Sequence, residues 1–335
     1  MPRVSFYRGA LLASLAIAFS ASGCDHLTDP DGPNLVDRFG DFTLLDPLTT
    51  SASAADFAAG DAVTFSARFN KQANWVLEIV GQQSGAVRRI EGFSSELTPE
   101  NARWTGGTTE LPLFNVEDVE ARLFFPNEDG TDTTRVSLAV TSPRAYPGDL
   151  VSDFEGGGNT IRLGNFEFEL QGAGVSSEVP AGQGDSFYLF RGTEPPSGST
   201  RNFFVGLIDI LPPAGTFHSV PTTVPEDLFV NFFLYGFGTT NTIAVVQVIS
   251  DGNGNGQFED GDTVFVAYDG PADFEGWRAF SANLGELGMT QAQAQEIVSV
   301  RVLLISDDNN QPATPLQVEY GIDFITFTAG GPLQL

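Results

Sequence analysis

Between Val63 and Phe69, apolar Val63, Phe65, Ala67 and Phe69 alternate with Thr64, Ser66 and Arg68. A period of two is the pattern of a strand with one face buried. The alternation returns at Trp75-Leu77-Ile79, at Val119-Ala121-Leu123-Phe125 and at Val136-Leu138-Val140. Gly81 to Gly85 turns the chain before another strand at Val87 to Ile90. Asn127-Glu128-Asp129-Gly130 lies between two alternating runs and signals a hairpin. With 37 glycines and 29 phenylalanines, the chain suits many short strands joined by glycine turns. The fold class that follows is all-β. Trp75 and Trp104 are expected in the core.

Past residue 150 the strands become longer and richer in phenylalanine. They read as Phe166-Phe168-Leu170, Phe187-Leu189, Phe203 to Leu211, Leu228 to Phe237, Thr242 to Ile249, Thr263 to Tyr268, Val298 to Ile305 and Val318 to Phe327. Several are apolar on both faces, as in strands covered on both sides. One helix is expected, where Thr290 precedes Gln293 at capping-box spacing. Ser142-Pro143-Arg144-Ala145-Tyr146-Pro147-Gly148 is rich in proline and marks a boundary. The expected organisation is a first domain at 41–142, a hinge at 143–149 and a second domain at 150–330.

Two resemblances sharpen this reading. The stretch from Trp75 to Phe125, with VLEIVGQQSGAVRRI, ARWTGG and EARLFF, resembles the bacterial Ig-like module of flagellar-hook-capping and secretion-associated proteins. It departs from that family where Val119-Glu120-Ala121 replaces a glycine before the last strand. The second domain opens with LVSDFEGG, continues with DLFVNFFLYGFGTTNTIAVVQVIS and GWRAFSANLGELG, and closes with VEYGIDFITF. This order is similar to the galactose-binding-like jelly roll of many carbohydrate-binding modules and envelope lipoproteins. The resemblances imply an Ig-like β-sandwich followed by a β jelly-roll sandwich. In the jelly-roll group the first and last strands are neighbours, and acids there often hold a structural ion. Glu155 and Asp323 are the matching pair here. The fold hosts sugar binding, protein docking and structural roles, so function does not follow from it.

Cys24 is the only cysteine. Arg3 and Arg8 precede the apolar run from Ala10 to Phe19, which is too short for a stable span of roughly 20 residues. Ala21-Ser22-Gly23-Cys24 then resembles the lipobox of bacterial lipoproteins, although Ala21 stands where the family usually has leucine. The alternative is an ordinary signal peptide that happens to end in cysteine. The lipoprotein reading gives a signal peptide at 1–23, lipidation of Cys24 and a membrane anchor made of acyl chains. Residues 24–40 read as a flexible tether. Asp25, Asp29 and Asp31 resemble a surface-export signal in some diderm bacteria and an inner-membrane retention signal in others, or they simply solvate a linker. The expected location is the cell envelope, with the outer membrane favoured and its side open. No disulfide can brace the mature chain.

Acidic residues number 43 against 16 basic ones, a net charge of −27, and loss of Arg3 and Arg8 with the leader makes it more negative. Lys71 is the only lysine. Such a surface suits a salt-rich habitat, or it reflects biased base composition. With no basic patch, nucleic acid is not expected as a partner. His26 and His218 are the only histidines, and His26 lies in the tether, so a histidine-based triad or a multi-histidine zinc site is not expected.

The sharpest local motif is Asp251-Gly-Asn253-Gly-Asn255-Gly256-Gln257-Phe258-Glu259-Asp260-Gly261-Asp262. Oxygen side chains at the first, third and fifth positions, a glycine at the sixth and the carbonyl of Gln257 at the seventh suit Ca²⁺, which takes six to eight hard oxygens. It resembles the calcium loops of EF-hands and dockerins. Asp262 is shorter than their usual glutamate, and the flanks VVQVIS and TVFVAY are strands. The expectation is a hairpin-tip calcium loop using Asp251, Asn253, Asn255, Gln257, Glu259 and Asp262, with a plain polar hairpin as its rival. Tyr188, Tyr235 and Tyr268 are candidates for stacking on a sugar, because tyrosine tolerates partial exposure. Trp277 is expected in the core. No nucleophile elbow or metal-hydrolase motif appears, so the chain is read as non-catalytic. The leading function is glycan capture by the jelly roll of a lipid-anchored envelope protein. The alternative is a structural lipoprotein that docks another envelope protein.

Overall fold

The computed structural model describes residues 41–128, 133–156, 160–164, 170–194, 204–306 and 316–335. Cys24, the leader and the tether lie outside the described residues, as do Asp129 and Gly130 of the expected turn and Phe166 and Phe168 of an expected strand. Strands β1 (Leu44–Thr50), β2 (Ala54–Asp56), β3 (Val63–Gly81), β4 (Val87–Leu97), β5 (Arg103–Trp104), β6 (Glu117–Phe124) and β7 (Thr134–Ser142) join in a seven-stranded sheet. Its pairings are antiparallel except β2 with β7.

The two strands expected at 63–69 and 75–79 are one strand of 19 residues. Asn70-Lys71-Gln72 looks like a turn because it is polar. A register shift between Arg68 and Ala73 absorbs it instead. The Asn70 amide donates to the Thr43 carbonyl at 3.1 Å, and the Thr43 amide donates back to Asn70 Oδ1 at 2.9 Å. The alternation survives, so Val63, Phe65, Phe69, Trp75, Leu77 and Ile79 all enter one core. Trp75 and Trp104 lie there as expected, with their indole N–H groups satisfied by Ser94 Oγ and the Gly107 carbonyl, each at 2.8 Å. A buried indole needs such a partner.

The chain then runs through β8 (Asp149–Ser152), β9 (Thr160–Gly164), β10 (Leu170–Ser176), β11 (Phe187–Thr193), β12 (Phe204–Leu211), β13 (Leu228–Phe237), β14 (Thr242–Ser250), β15 (Thr263–Pro271), β16 (Glu275–Asn283), β17 (Ile297–Ser306) and β18 (Gln317–Ala329). These make two antiparallel sheets. One has the order β10-β11-β18-β13-β16 with β8 also on β18, and the other β15-β14-β17-β12-β9. Apart from the β10–β11 and β14–β15 hairpins, successive strands hop between the sheets, which is the jelly-roll form of a β-sandwich. Phe190, Phe232, Tyr320 and Ile322 from the first sheet meet Ile208, Val246, Val300 and Val302 from the second in a shared core. Each such side chain contributes about 1.5–3 kcal/mol when fully buried. Tyr320 donates its hydroxyl to the Leu303 carbonyl of the facing sheet at 2.8 Å. The expected helix is a single turn at Gln291–Ala294, and Thr290 with Gln293 forms the capping box in full.

Contacts join residues 42–335 into one unit, although each group of strands keeps its own core. The proline-rich segment is a packed connector. Tyr146 sets its ring edge-on to Phe324 with centroids 6.2 Å apart. Gly148 has φ 126°, and a Cβ there would lie 2.3 Å from the Phe327 carbonyl oxygen. Only glycine fits so close a crossing.

Candidate functional site

The jelly roll separates the three candidate tyrosines. Tyr188 is 5% exposed and belongs to the core between the sheets. Burial pushes its phenol up to about 12. It packs on Phe154 and Phe190 and has no face to offer a sugar, which corrects the expectation for this residue. Tyr268 sits at the seam of the sandwich beside Phe232 and Phe280, its hydroxyl donated to the Pro271 carbonyl at 2.9 Å. Tyr235 alone lies half-buried on the outer face of the sheet containing β13.

That outer face is aromatic. Across the strands, Tyr235 of β13 is in register with Trp277 of β16 and Gly321 of β18. The Tyr235 and Trp277 rings meet at 5.2 Å, Tyr235 and Phe237 at 4.7 Å, and Phe187 and Trp277 at 5.5 Å, all edge-to-face. Gly321 makes room for them, since a Cβ there would lie 2.7 Å from the Phe187 ring. Next along the strands, Phe237 is in register with Glu275, and Arg191 with Glu319 on one side and Gly172 on the other. Arg191 stands 5.8 Å from the centre of the Phe237 ring. Glu319 holds its Nε at 2.5 Å and Glu178 its second nitrogen at 2.6 Å. Those hydrogen bonds, Glu178 foremost, raise the arginine pKa further, so the guanidinium is fixed in place and charged. Gln317 donates to Glu319 Oε2 at 3.1 Å.

Trp277, expected in the core, is half-exposed on this face. Sequence reasoning missed it because Phe232-Phe233-Leu234-Tyr235 is apolar in both parities and gives no sign of which face is inside. Arg191 and Glu319 left no local signal either, since only β-pairing brings them together.

Part of the face lies under the loop 177–186. Ala181 is 4% exposed and packs with Phe187 and Leu189. Trp277 Nε1 donates to the Pro180 carbonyl at 2.8 Å. The Gln183 amide donates to Asp323 Oδ2 at 2.8 Å. Segment 113–115 of the first sheet's unit reaches the same loop: the Leu113 amide donates to the Gly182 carbonyl at 2.8 Å, and Asn115 Nδ2 donates to the Gly184 carbonyl at 2.7 Å.

Two acids flank this loop, Asp323 buried and Glu155 exposed. Glu155 Oε1 accepts from the amides of Asp185 and Ser186 at 2.6 and 2.8 Å. Asp323 is wholly buried, and its carboxyl is pushed well above the usual range by burial, with Glu155 and Asp153 adding to the rise against hydrogen bonds from Gln183 and Phe324. Phe154 and Phe324, which adjoin these acids, have left-handed backbones with φ 56° and 43°. Bulky residues seldom accept that conformation, which costs about 1–3 kcal/mol each. Gln183 Oε1 is buried without a hydrogen-bond partner.

The loop 251–262 caps the hairpin of β14 and β15, as expected. Asp251 takes amide hydrogens from Asn253 and Gly254, each at 2.8 Å, and from Gly256 at 2.6 Å. Burial pushes this carboxyl up, yet the amides outweigh it and hold it below its usual value. Asn253 and Asn255 each accept from the amide two residues on and donate their Nδ2 groups to Glu259 Oε1. Asp262 accepts from the amides of Gly252 and Glu259. The carboxylates therefore do not converge. Among the described residues, no three His, Cys, Asp or Glu side chains come together as a metal site. Phe258 lies under the guanidinium groups of Arg162 and Arg301, 4.7 and 4.9 Å from its ring centre. Both arginines pair with buried Asp209. His218 is mostly buried and contacts the Ile210 carbonyl at 3.0 Å; burial lowers its pKa.

No family model matches the chain, and no curated protein matches it in sequence. Solved structures resemble it loosely. A family 30 carbohydrate-binding module is 13% identical, with 56% of this chain and 91% of that one covered and a TM-score of 0.37. A family 11 carbohydrate-binding module from Clostridium thermocellum, in complex with a β-1,3-1,4-mixed-linked tetrasaccharide, is 15% identical over 56% and 98% at 0.34. SGBP-B from a xyloglucan utilization locus in Bacteroides uniformis is 13% identical over 84% and 73% at 0.35. Likeness this distant transfers neither a ligand nor a residue's role.

Proposed function

We propose that this chain is a non-catalytic, lipid-anchored protein of the cell envelope that binds a neutral polysaccharide on the outer face of the jelly roll. The observation that carries the reading is the row of half-exposed Phe237, Tyr235 and Trp277 beside Arg191, which Glu178 and Glu319 hold rigid. Rings stack on the C–H faces of a sugar, and fixed polar groups bond its hydroxyls. Arg191 is neutralised by its two acids, and the chain carries −27, so an uncharged glycan suits the face better than an acidic one. The sequence around Cys24 supports the lipid anchor, with the outer membrane favoured. Calcium, at 251–262 and between Glu155 and Asp323, belongs to the same reading as a structural ion.

A glycan array with the mature chain tests it. Phe237→Ala, Tyr235→Ala and Trp277→Ala should each weaken the best neutral ligand at least tenfold, whereas Tyr268→Ala at the seam should leave it bound. Failure to bind any plant, algal or bacterial glycan would favour the second reading, a structural lipoprotein docking another envelope protein. Cys24→Ser should release the protein from membranes and abolish labelling by a fatty-acid analogue.

A further inference from the structure

We infer that the glycan face is a composite of both strand groups, with Asn115 of the first as the positioning residue that seats the loop 177–186 over the aromatic row. The inference rests on the glycan-face reading above. The carbonyls of Gly182 and Gly184 are satisfied from outside the loop, by Leu113 and by Asn115. Asn115 is itself held still. Its amide donates to Glu117 Oε1 at 3.0 Å, and this glutamate, 4% exposed, also accepts from the amides of Gln83 and Ser84 at 2.7 and 3.0 Å. The carboxamide is therefore an arm on a rigid base. On the other side the loop lies flat. A Cβ on Gly182 would sit 3.1 Å from the Phe233 ring and 3.2 Å from Trp277, so the backbone rests directly on the rings. The Trp277 indole N–H is spent on the Pro180 carbonyl, so the part of the ring that the loop leaves uncovered, and not the N–H, is offered to a ligand. Asn115 thus sets the height of one wall of the face without touching the sugar.

Trp277 gives this arrangement its own readout. Trp75 and Trp104 are 2% and 1% exposed, so among the three tryptophans acrylamide quenches Trp277 selectively. In the full mature chain, Asn115→Ala and Asn115→Asp both remove the donor to Gly184. Each should raise the quenching constant at least twofold and weaken the array-selected oligosaccharide about 2- to 10-fold, the range of one lost hydrogen bond. The melting temperature should stay within a few degrees, which separates positioning from general damage. Asn115→Gln, which keeps a donor on a longer arm, should recover part of both losses. Unchanged quenching in both variants would overturn the inference. Raised quenching with unchanged affinity would also overturn it, while leaving the glycan reading intact. A wild-type chain that binds no glycan would instead fail the glycan reading itself, and the composite site with it.

Discussion

The two acidic sites of the jelly roll are built on opposite plans. The loop 251–262 keeps its oxygens on one short stretch at an exposed hairpin tip, where backbone amides within reach take up each carboxylate. Asp323, from the last strand, is wholly buried beside the covering loop, where burial leaves it with a strongly raised pKa, while Glu155, from the first strand region, is exposed. At the tip, a carboxylate without a cation is already satisfied. Asp323 also accepts from two amides, those of Gln183 and Phe324, yet burial still disfavours its charged form. A cation should therefore matter more at buried Asp323, even though the hairpin motif is the more conspicuous in sequence.

The largest expected effect follows from Asp323. Its folded-state pKa lies above the unfolded value, so in that window the folded state holds a proton that the unfolded state has lost. Stability must then fall as pH rises from the ordinary carboxylate range through the folded pKa, by up to about 1.4 kcal/mol per pH unit for one proton. Urea unfolding in chelator at several pH values measures the slope. Asp323→Asn should flatten it. Saturating calcium should flatten it too if the pair holds an ion, because the metal replaces the proton. A wild-type slope that calcium leaves untouched would put the ion elsewhere.

The two sites also mark how far the sequence could be read. The hairpin loop, its flanking strands and the Thr290–Gln293 capping box were legible because each is decided by neighbours along the chain. The long β3 was read as two strands because the polarity of Asn70-Lys71-Gln72 mimics a turn, and the register shift that absorbs it depends on β4. The aromatic face was half legible. Tyr235, a stacking candidate on polarity alone, lies half-buried on the outer face. Tyr188, a candidate on the same ground, lies inside, because β11 is buried along nearly its whole length and alternation cannot tell inside from outside. The roles of Asn115 and Gln183 were not legible at all. Nothing in NVEDVE or GQGDSF announces that one segment will reach the other.

A middle-sized effect should come from Asp251→Ala in chelator. Three backbone amides lose their acceptor, one of them from a partly buried Gly256. Asp251 is itself buried, but Asn253 and Gly254 are exposed, so water can replace part of that loss and the cost should be about 1–2 kcal/mol rather than the sum of three buried bonds. Hydrogen exchange should place the loosening at 250–263 and leave the loop 177–186 protected. If exchange instead quickened across both, the two sites would be one cooperative element and the contrast between them would dissolve.

The smallest effect, and the most informative about the loop, belongs to Glu259→Gln. Glu259 Oε1 accepts from the carboxamides of Asn253 and Asn255, and a glutamine oxygen can accept from the same groups. In chelator the variant should therefore match the wild type within about 0.5 kcal/mol. Calcium should separate them. An ion that binds only the folded loop stabilises it by RT ln(1 + [L]/Kd), about 2.7 kcal/mol at a hundredfold excess over Kd. Losing one negative ligand raises Kd, so the variant should gain less at the same calcium concentration. Magnesium should do less than calcium in either protein, because it resists giving up its water. Melting curves at fixed ionic strength keep general screening of the −27 charge constant. If wild type and variant respond to calcium by the same amount, that response comes from another site, with Glu155 and Asp323 the first place to look, and 251–262 is a polar hairpin held by its own amides.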